Sequence, residues 1–304
     1  MGKTFKLWLS ATRPAFLSVT FVGVLIGLAT ASYSGAFHSL WLATLTLIFA
    51  LVAHAGANVL NDYYDALSGC DAANTDRIFP FTGGSRFIQD GLLTTKQTAI
   101  FGYALLIAVI PAGLYLIAES GAGLLFIGMC GLFAGWAYSA KPLALQSRGV
   151  GEITITVAWM LIVIGSDYVQ RGSFALTPII SGIAYALLVA NVLFINQIPD
   201  INADAISGKR TVIVRFGSGV ALLGSALLYL SATATIVIGI AVGALPITSV
   251  FGLLFWAPAA LALYRLCQIP MDKTSLTLTI RLTIISTLLA GFLLTLSLLF
   301  AAET

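Results

Sequence analysis

Charge is what this sequence has least of. Asp, Glu, Lys and Arg make up 9% of its 304 residues, against roughly 25% in a soluble domain. So few charges cannot cover a water-soluble globule, and 59% hydrophobic residues cannot all hide in one core. A soluble fold is excluded, and lipid must be the solvent for much of the chain. Cysteine is scarce too: Cys70, Cys130 and Cys267 are odd in number and scattered, with no C-x-x-C pair. That argues against a disulfide framework and against a thiolate metal site. The Walker spacing of a P-loop is missing, so Gly83-Gly84-Ser85-Arg86 is at most a small phosphate nest. The net charge of +3 is modest; no nucleic acid is expected as a partner, and no protein partner is inferred.

What is present is a series of long apolar runs, near residues 15–33, 40–60, 98–117, 121–139, 151–169, 176–196, 219–240, 246–265 and 281–301. Each approaches the about 20 residues that a membrane-spanning helix needs. They predict an all-α integral membrane fold with nine transmembrane helices, forming a single membrane domain over 1–304. The first run follows Lys3, Lys6 and Arg13 like a signal peptide, but it is one run among many and is read as a retained span. The eighth begins at Pro246 and contains Pro258, which a membrane helix tolerates when neighbours satisfy the freed carbonyl.

The basic residues orient this series. With the N-terminus in the cytoplasm, the cytoplasmic segments hold Lys3, Lys6, Arg13, Arg77, Arg86, Lys96, Lys141, Arg148, Lys209, Arg210, Arg215, Arg265, Lys273 and Arg281. Of the 15 basic residues only Arg171 falls on the other side. The positive-inside rule therefore predicts a cytoplasmic N-terminus and a C-terminus on the opposite side. The two long polar loops, about 61–97 and 197–218, both lie on the cytoplasmic face.

Each of those loops opens with an Asn/Asp cluster. The first runs from Asn58 through Asn61, Asp62 and Asp65 to Asp71 and Asp76. If the second helix continues through it, His54, Asn58, Asn61 and Asp65 share one face. The second cluster holds Asn196, Asp200, Asn202 and Asp204, followed by Ser207-Gly208-Lys209-Arg210-Thr211. Asn196, Asp200 and Asp204 also fall on one helical face, with Pro199 able to distort the turn. Asn61 and Asp65 match Asn196 and Asp200 at an offset of 135 residues, which hints at two related halves, about 1–139 and 140–304.

Two such clusters facing each other make a hard oxygen site suited to Mg²⁺, which takes one or two carboxylates plus waters and phosphate oxygens. Arg13, Arg77, Arg86, Lys141, Lys209 and Arg210 are basic partners for those phosphate oxygens. Carboxylates that continue the face of an apolar span cost on the order of 2.5–3.5 kcal/mol near the membrane interior, so a role beyond solvation is favoured. Arg148, Arg215, Arg265, Lys273 and Arg281 are read as solvated charges that set topology. His54 is read first as a hydrogen-bonded packing residue. Glu152 is placed to hydrogen-bond a loop, and Tyr138 either lines the site or anchors the interface.

These residues resemble the UbiA superfamily of intramembrane aromatic prenyltransferases. The first cluster is similar to that family's N-D-x-x-D motif and the second to its D-x-x-x-D motif, here Asp200 and Asp204. Asn58-x-x-Asn61-Asp62-Tyr63-Tyr64-Asp65-x-x-x-Gly69-x-Asp71 most resembles the MenA branch, the 1,4-dihydroxy-2-naphthoate polyprenyltransferases. Gly208-Lys209-Arg210-Thr211, Arg13-Pro14 and Tyr138-Ser139 ahead of Gly149-x-Gly151-Glu152 are similar to the same branch. One stretch departs from it: where that branch has an Arg-Pro segment, this chain reads Phe79-Pro80-Phe81-Thr82-Gly83-Gly84-Ser85-Arg86.

The resemblance implies a nine-helix bundle in the cell (inner) membrane, with its active site on the cytoplasmic face. It implies Mg²⁺ held by Asn61, Asp65, Asp71, Asn196, Asp200 and Asp204. It also implies a polyprenyl diphosphate contacted by Arg13, Arg77, Lys141, Lys209, Arg210 and Tyr138, with Asp65, Asp200, Lys141 and Arg13 as the catalytic set. The prenyl group would pass to an aromatic acceptor, 1,4-dihydroxy-2-naphthoate in menaquinone biosynthesis, or else 4-hydroxybenzoate, homogentisate or another ring. The rival from another class is a secondary transporter, whose sites lie near the bilayer midplane. Charge gathered on one face disfavours it.

Overall fold

The computed structural model describes residues 2–268 and 270–303. A short helix, α1 (Gly2–Ala11), leads into α2 (Pro14–Tyr33). Then come α3 (Leu40–Ser68), the single turn α4 (Cys70–Ala73), α5 (Thr95–Ser120) and α6 (Gly123–Ser139). The second half holds α7 (Gly151–Arg171), α8 (Leu176–Asn196), α9 (Ile201–Ile206) and α10 (Val212–Phe216). It closes with α11 (Ala221–Ala241), α12 (Trp256–Leu266) and α13 (Lys273–Glu303).

Among the described residues eight segments are long and apolar enough to cross a bilayer, one of them α12 joined to the 3-10 stretch before it. The fourth expected run forms α6, which is apolar but shorter, at 17 residues. The eighth run is a 3-10 stretch, Ile247–Phe255, leading into α12. Pro258 falls just after the chain passes from 3-10 to α-helix. The chain is thus an all-helical, multi-pass membrane protein.

Helix α3 has 29 residues and so spans about 43 Å at 1.5 Å per residue. That exceeds the roughly 30 Å hydrocarbon layer. Its final turns, which carry Asn61 and Asp65, can therefore stand clear of the lipid tails. Gly69, with φ 78, ends it in the left-handed conformation that glycine adopts without a Cβ penalty.

The second cluster lies differently from the single face that was expected. Helix α8 stops at Asn196, and Asp200 instead stands immediately before α9, with its side chain making no capping hydrogen bond. Pro199 lacks the N–H that would continue the ladder, so the chain turns there.

Helices α2, α7 and α8 make the centre. Val19, Val22 and Ile26 pack on Trp159, Val163, Tyr185 and Val189. The Tyr185 hydroxyl is fully buried there and donates to the Val19 carbonyl at 2.8 Å. Close approach depends on small residues, as usual between membrane helices. A Cβ on Gly27 would collide with the Val163 carbonyl oxygen and lie 2.6 Å from Ser166 Cβ.

Candidate active site

One cavity of about 790 Å³ runs through the first half of the bundle and reaches α7, α8 and α13. Its polar end is lined by Arg13, Asn61, Asp65, Asp71, Asn196, Asp200, Asp204 and Lys209, together with Tyr138. The rest is apolar, with Phe49, Val109, Ile110, Leu114, Leu125 and Ile162 along its walls. The two acidic motifs, brought from the ends of α3 and α8, therefore face one chamber.

Local conformation aims the polar groups. Arg13 adopts φ 55 and ψ 62 between α1 and α2, a left-handed conformation that costs energy for a residue with a Cβ. The bend carries its guanidinium to the first motif. There Nη1 donates to Asn61 Oδ1 at 3.3 Å, and Nη2 lies 3.7 Å from Asp62 Oδ1. Asn61 Nδ2 in turn donates to Asp65 Oδ2 at 3.1 Å and to Gln146 Oε1 at 3.1 Å. Gln146 Nε2 completes the ring by donating to Asp65 Oδ1 at 3.1 Å.

Lys209 joins the motifs. Its Nζ is 2.9 Å from Asp65 Oδ1 and 3.5 Å from Asp204 Oδ1. Asp204 Oδ1 also accepts from Cys70 Sγ at 3.2 Å. Asp200 is held differently, by Asn74 Nδ2 at 2.7 Å.

The electrostatics show a surplus of buried negative charge. Burial, then repulsion from Asp65 and Asp62, pushes the Asp71 carboxyl up to about 7. Burial raises Asp200 to about 6 against the hydrogen bond from Asn74, and burial likewise raises Asp204 despite Lys209. Burial works against the Lys209 ammonium, yet Asp65 and Asp204 hold its pKa well above the ordinary lysine value. Burial disfavours the charged form of all three carboxylates, and a further cation beside them would favour it.

Those observations test the fit of a divalent cation. Asn196 Oδ1, in the chamber wall, is buried without a hydrogen-bond partner; Asp62 Oδ1 also accepts no hydrogen bond, but it is ion-paired with Arg13. Among the described residues no group of three or more His, Cys, Asp or Glu side chains is placed to hold a metal ion by itself. Mg²⁺ does not require one, because it completes its octahedron with phosphate oxygens and waters rather than with an all-protein cage. The donor set therefore fits a cation that arrives with a phosphate ligand.

The expected residues do not all meet. Lys141 and Arg210 are exposed and stand outside the cavity. Arg77 lies over the Phe79 ring in a separate groove with Lys273, and its Nη1 donates to the Gly84 carbonyl at 3.5 Å. Tyr138 lines the chamber. His54 is a packing residue in the chamber wall, with Nδ1 2.8 Å from Thr20 Oγ1 and its ring edge-on to Trp159. Glu152 accepts from Gln197 Nε2 at 2.5 Å, fixing the start of the second loop.

Several site residues gave no signal in the sequence. Gln146, Cys70, Asn74 and Thr82 all line the chamber, and none belongs to a motif. The Gly83-Gly84 turn is part of the wall rather than an isolated nest. Ser85 N donates to Asp62 Oδ2 at 3.1 Å. A Cβ on Gly84 would come within 2.7 Å of Asp71 Oδ2 and 3.0 Å of Asp62 Oδ1, so only glycine lets the backbone lie against both carboxylates.

A helical bundle of membrane spans, enclosing a chamber acidic at one end and apolar along its length, defines an intramembrane enzyme for amphiphilic substrates. Comparison with known proteins narrows the class. The family model for the UbiA prenyltransferase family matches residues 18–275, and the chain belongs to that family. It is 32% identical over 220 residues to the 1,4-dihydroxy-2-naphthoate octaprenyltransferase of Escherichia coli (strain K12), covering 70% of this chain and 69% of that protein. It is 28% identical to the 2-carboxy-1,4-naphthoquinone phytyltransferase of Synechocystis, covering 75% and 71%.

Solved structures share the fold. One of a digeranylgeranylglyceryl phosphate synthase superposes with a TM-score of 0.67 at 15% identity, over 98% of this chain and 99% of that one. A UbiA homologue from Archaeoglobus fulgidus bound to DMAPP and Mg²⁺ gives 0.61 at 17% identity, over 95% and 98%. The chain is a prenyltransferase, and the transporter reading falls away.

Proposed function

We propose that this enzyme transfers a polyprenyl group from polyprenyl diphosphate to 1,4-dihydroxy-2-naphthoate, as a step of menaquinone biosynthesis. The observation that carries this is the pair of acidic motifs facing each other across one end of an otherwise apolar chamber. The acceptor follows from the names of the relatives, which share a carboxylated naphthalene skeleton. Those names differ in the prenyl group, octaprenyl or phytyl.

Asn61, Asp65, Asp71, Asn196, Asp200 and Asp204 would supply the protein ligands of Mg²⁺, one or two carboxylates to an ion, and Mg²⁺ neutralises a diphosphate and makes it a better leaving group. Arg13 and Lys209, already inside the chamber, face the phosphate oxygens and stabilise negative charge as the C–O bond breaks. The apolar walls take the prenyl tail and keep water from the allylic cation. The electron-rich ring attacks that cation, forming the C–C bond, and loses its carboxyl group as carbon dioxide. Lys141 and Arg210, exposed at the rim, attract the anionic donor rather than touch the reacting atoms.

We read the chain as one membrane domain of two related halves, about 1–139 and 140–304, in the inner membrane. Nine spans, with α6 as the short fourth, leave the N-terminus and the acidic chamber on the cytoplasmic side. Arg171 supports that orientation. The one basic residue on the far side is paired with Asp167, with Nε 2.7 Å from Oδ2, and so is not a free charge.

The test is to offer purified protein geranylgeranyl and longer diphosphates with Mg²⁺. The acceptors are dihydroxynaphthoate, 4-hydroxybenzoate, homogentisate and haem, with products identified by mass spectrometry. A decarboxylated, prenylated naphthoquinol is expected. Turnover of another acceptor alone would refute the proposed one while leaving prenyl transfer intact.

A further inference from the structure

Asn74 lies between the two acidic motifs and belongs to neither. It is 3% exposed and lines the chamber. Its Nδ2 donates to Asp200 Oδ1 at 2.7 Å, across from the other half of the chain. Its own carbonyl accepts from Arg86 Nη1 at 3.3 Å, and the same nitrogen holds the Asp71 carbonyl at 2.9 Å. Gly83, with φ +71, approaches so closely that a Cβ there would stand 2.9 Å from Asn74 Nδ2 and 2.6 Å from Arg77 Cβ. Three segments thus meet at one amide: the end of the first motif, the turn at Gly83-Gly84, and the start of α9.

Asp200 needs such a partner for a specific reason. Lys209 pairs with Asp65 and Asp204, and among the described residues no ion pair reaches Asp200. A neutral amide orients a carboxylate without consuming its charge, which stays available for a cation. An apolar residue would fill the same space without aiming anything. The amide's other half, Oδ1, is buried without a hydrogen-bond partner, a cost that packing alone does not repay.

We propose that Asn74 is a positioning residue that aims Asp200 at the divalent cation and couples that aim to the Gly83-Gly84 turn. This rests on the proposed metal site and adds a residue outside both acidic motifs. The coupling runs through contact: the turn can lie over the chamber only where Asn74 leaves room, and Asn74 reaches Asp200 only where the turn bears no side chain.

The test measures metal binding rather than turnover. The full chain in detergent is titrated with Mg²⁺ in the presence of inorganic diphosphate, followed by calorimetry and by the thermal midpoint. Asn74→Leu should weaken Mg²⁺ binding roughly tenfold or more, the scale of a lost hydrogen bond to a charged group, with KM for the acceptor unchanged. Asn74→Asp sets a second carboxylate against Asp200. It should lower the metal-free midpoint and enlarge the rise that Mg²⁺ produces, which a space-filling role would not do. Gly83→Ala should weaken Mg²⁺ binding as well, and combining it with Asn74→Leu should fall short of additivity. Should Asn74→Leu fail to fold, the other two variants carry the test. Wild-type Mg²⁺ titrations in Asn74→Leu, or an unaltered Mg²⁺ response in Asn74→Asp, overturn the proposal. If the wild-type chain itself ignores Mg²⁺ and diphosphate, the metal-site reading falls first and this one with it.

Discussion

Lys209 Nζ lies 2.9 Å from Asp65 Oδ1, binding the segment after α9 to the last turns of α3. Lys209 is 8% exposed, so this ion pair is little screened, and it stands where both acidic motifs compete for positive charge. Removing one partner of a buried pair costs about 3–5 kcal/mol, because the other charge stays buried and uncompensated. Lys209→Met should therefore lower metal-free stability by about 3 kcal/mol, with Mg²⁺ and diphosphate restoring part of it. Thermal unfolding with and without those ligands measures both effects.

Asp65 and Asp200 face the chamber from opposite halves. Asp65→Ala or Asp200→Ala should reduce Mg²⁺-dependent turnover by roughly 10³-fold, near the upper range for lost electrostatic stabilisation. Full activity in either variant would sink the assignment of the motifs.

The titration of Asp71 and Asp200 gives a pH dependence. Unfolded aspartate loses its proton near pH 4, whereas burial holds Asp71 to about 7 and Asp200 to about 6. Between those limits the metal-free folded state binds more protons than the unfolded state. Its stability should therefore fall as pH rises from about 4 to 7. Mg²⁺ displaces the same protons, so its affinity should climb over pH 6 to 8 and then level off. Mg²⁺ titrations at fixed ionic strength across that range decide it; a flat profile contradicts the charge surplus.

Gln146 bridges Asn61 and Asp65 with two hydrogen bonds of 3.1 Å. Gln146→Leu removes both while keeping the volume similar. The expected result is roughly a tenfold rise in the Mg²⁺ activation constant, with the global unfolding midpoint little changed.

Gly27 tests the scaffold apart from the chemistry. Gly27→Val would drive a side chain into the Val163 carbonyl and Ser166, and overpacking of this kind costs about 1–3 kcal/mol. A lower thermal midpoint with an unaltered Mg²⁺ activation constant is the expected pattern.

The membrane class was legible because it is a property of composition, and among the described residues eight of the nine apolar runs lie in segments long enough to cross a bilayer, the fourth forming the shorter α6. Asn61, Asp65, Asp200 and Asp204 stand out by their spacing in the chain, and the structure brings all four to the chamber. Boundaries were less legible. The cluster after α8 reads as a continuous helical face, and Pro199 turns it instead. Basic residues were hardest to sort. Lys141, Lys209 and Arg210 look alike in sequence, yet only Lys209 enters the chamber. A long flexible cation beside a loop can point either way, and the backbone direction at that residue decides.

The sequence by itself determined that this protein lives in lipid, and its spacing singled out the two Asn/Asp motifs that come to line one chamber. These follow from composition and local spacing, which need no partner to be read. Only the tertiary structure decided that Gln146, Cys70, Asn74 and the Gly83-Gly84 turn share that chamber, because their roles arise from contacts between distant segments. Each has an ordinary local environment in the chain. It joins the chamber wall when the bundle closes and buried carboxylates must find donors.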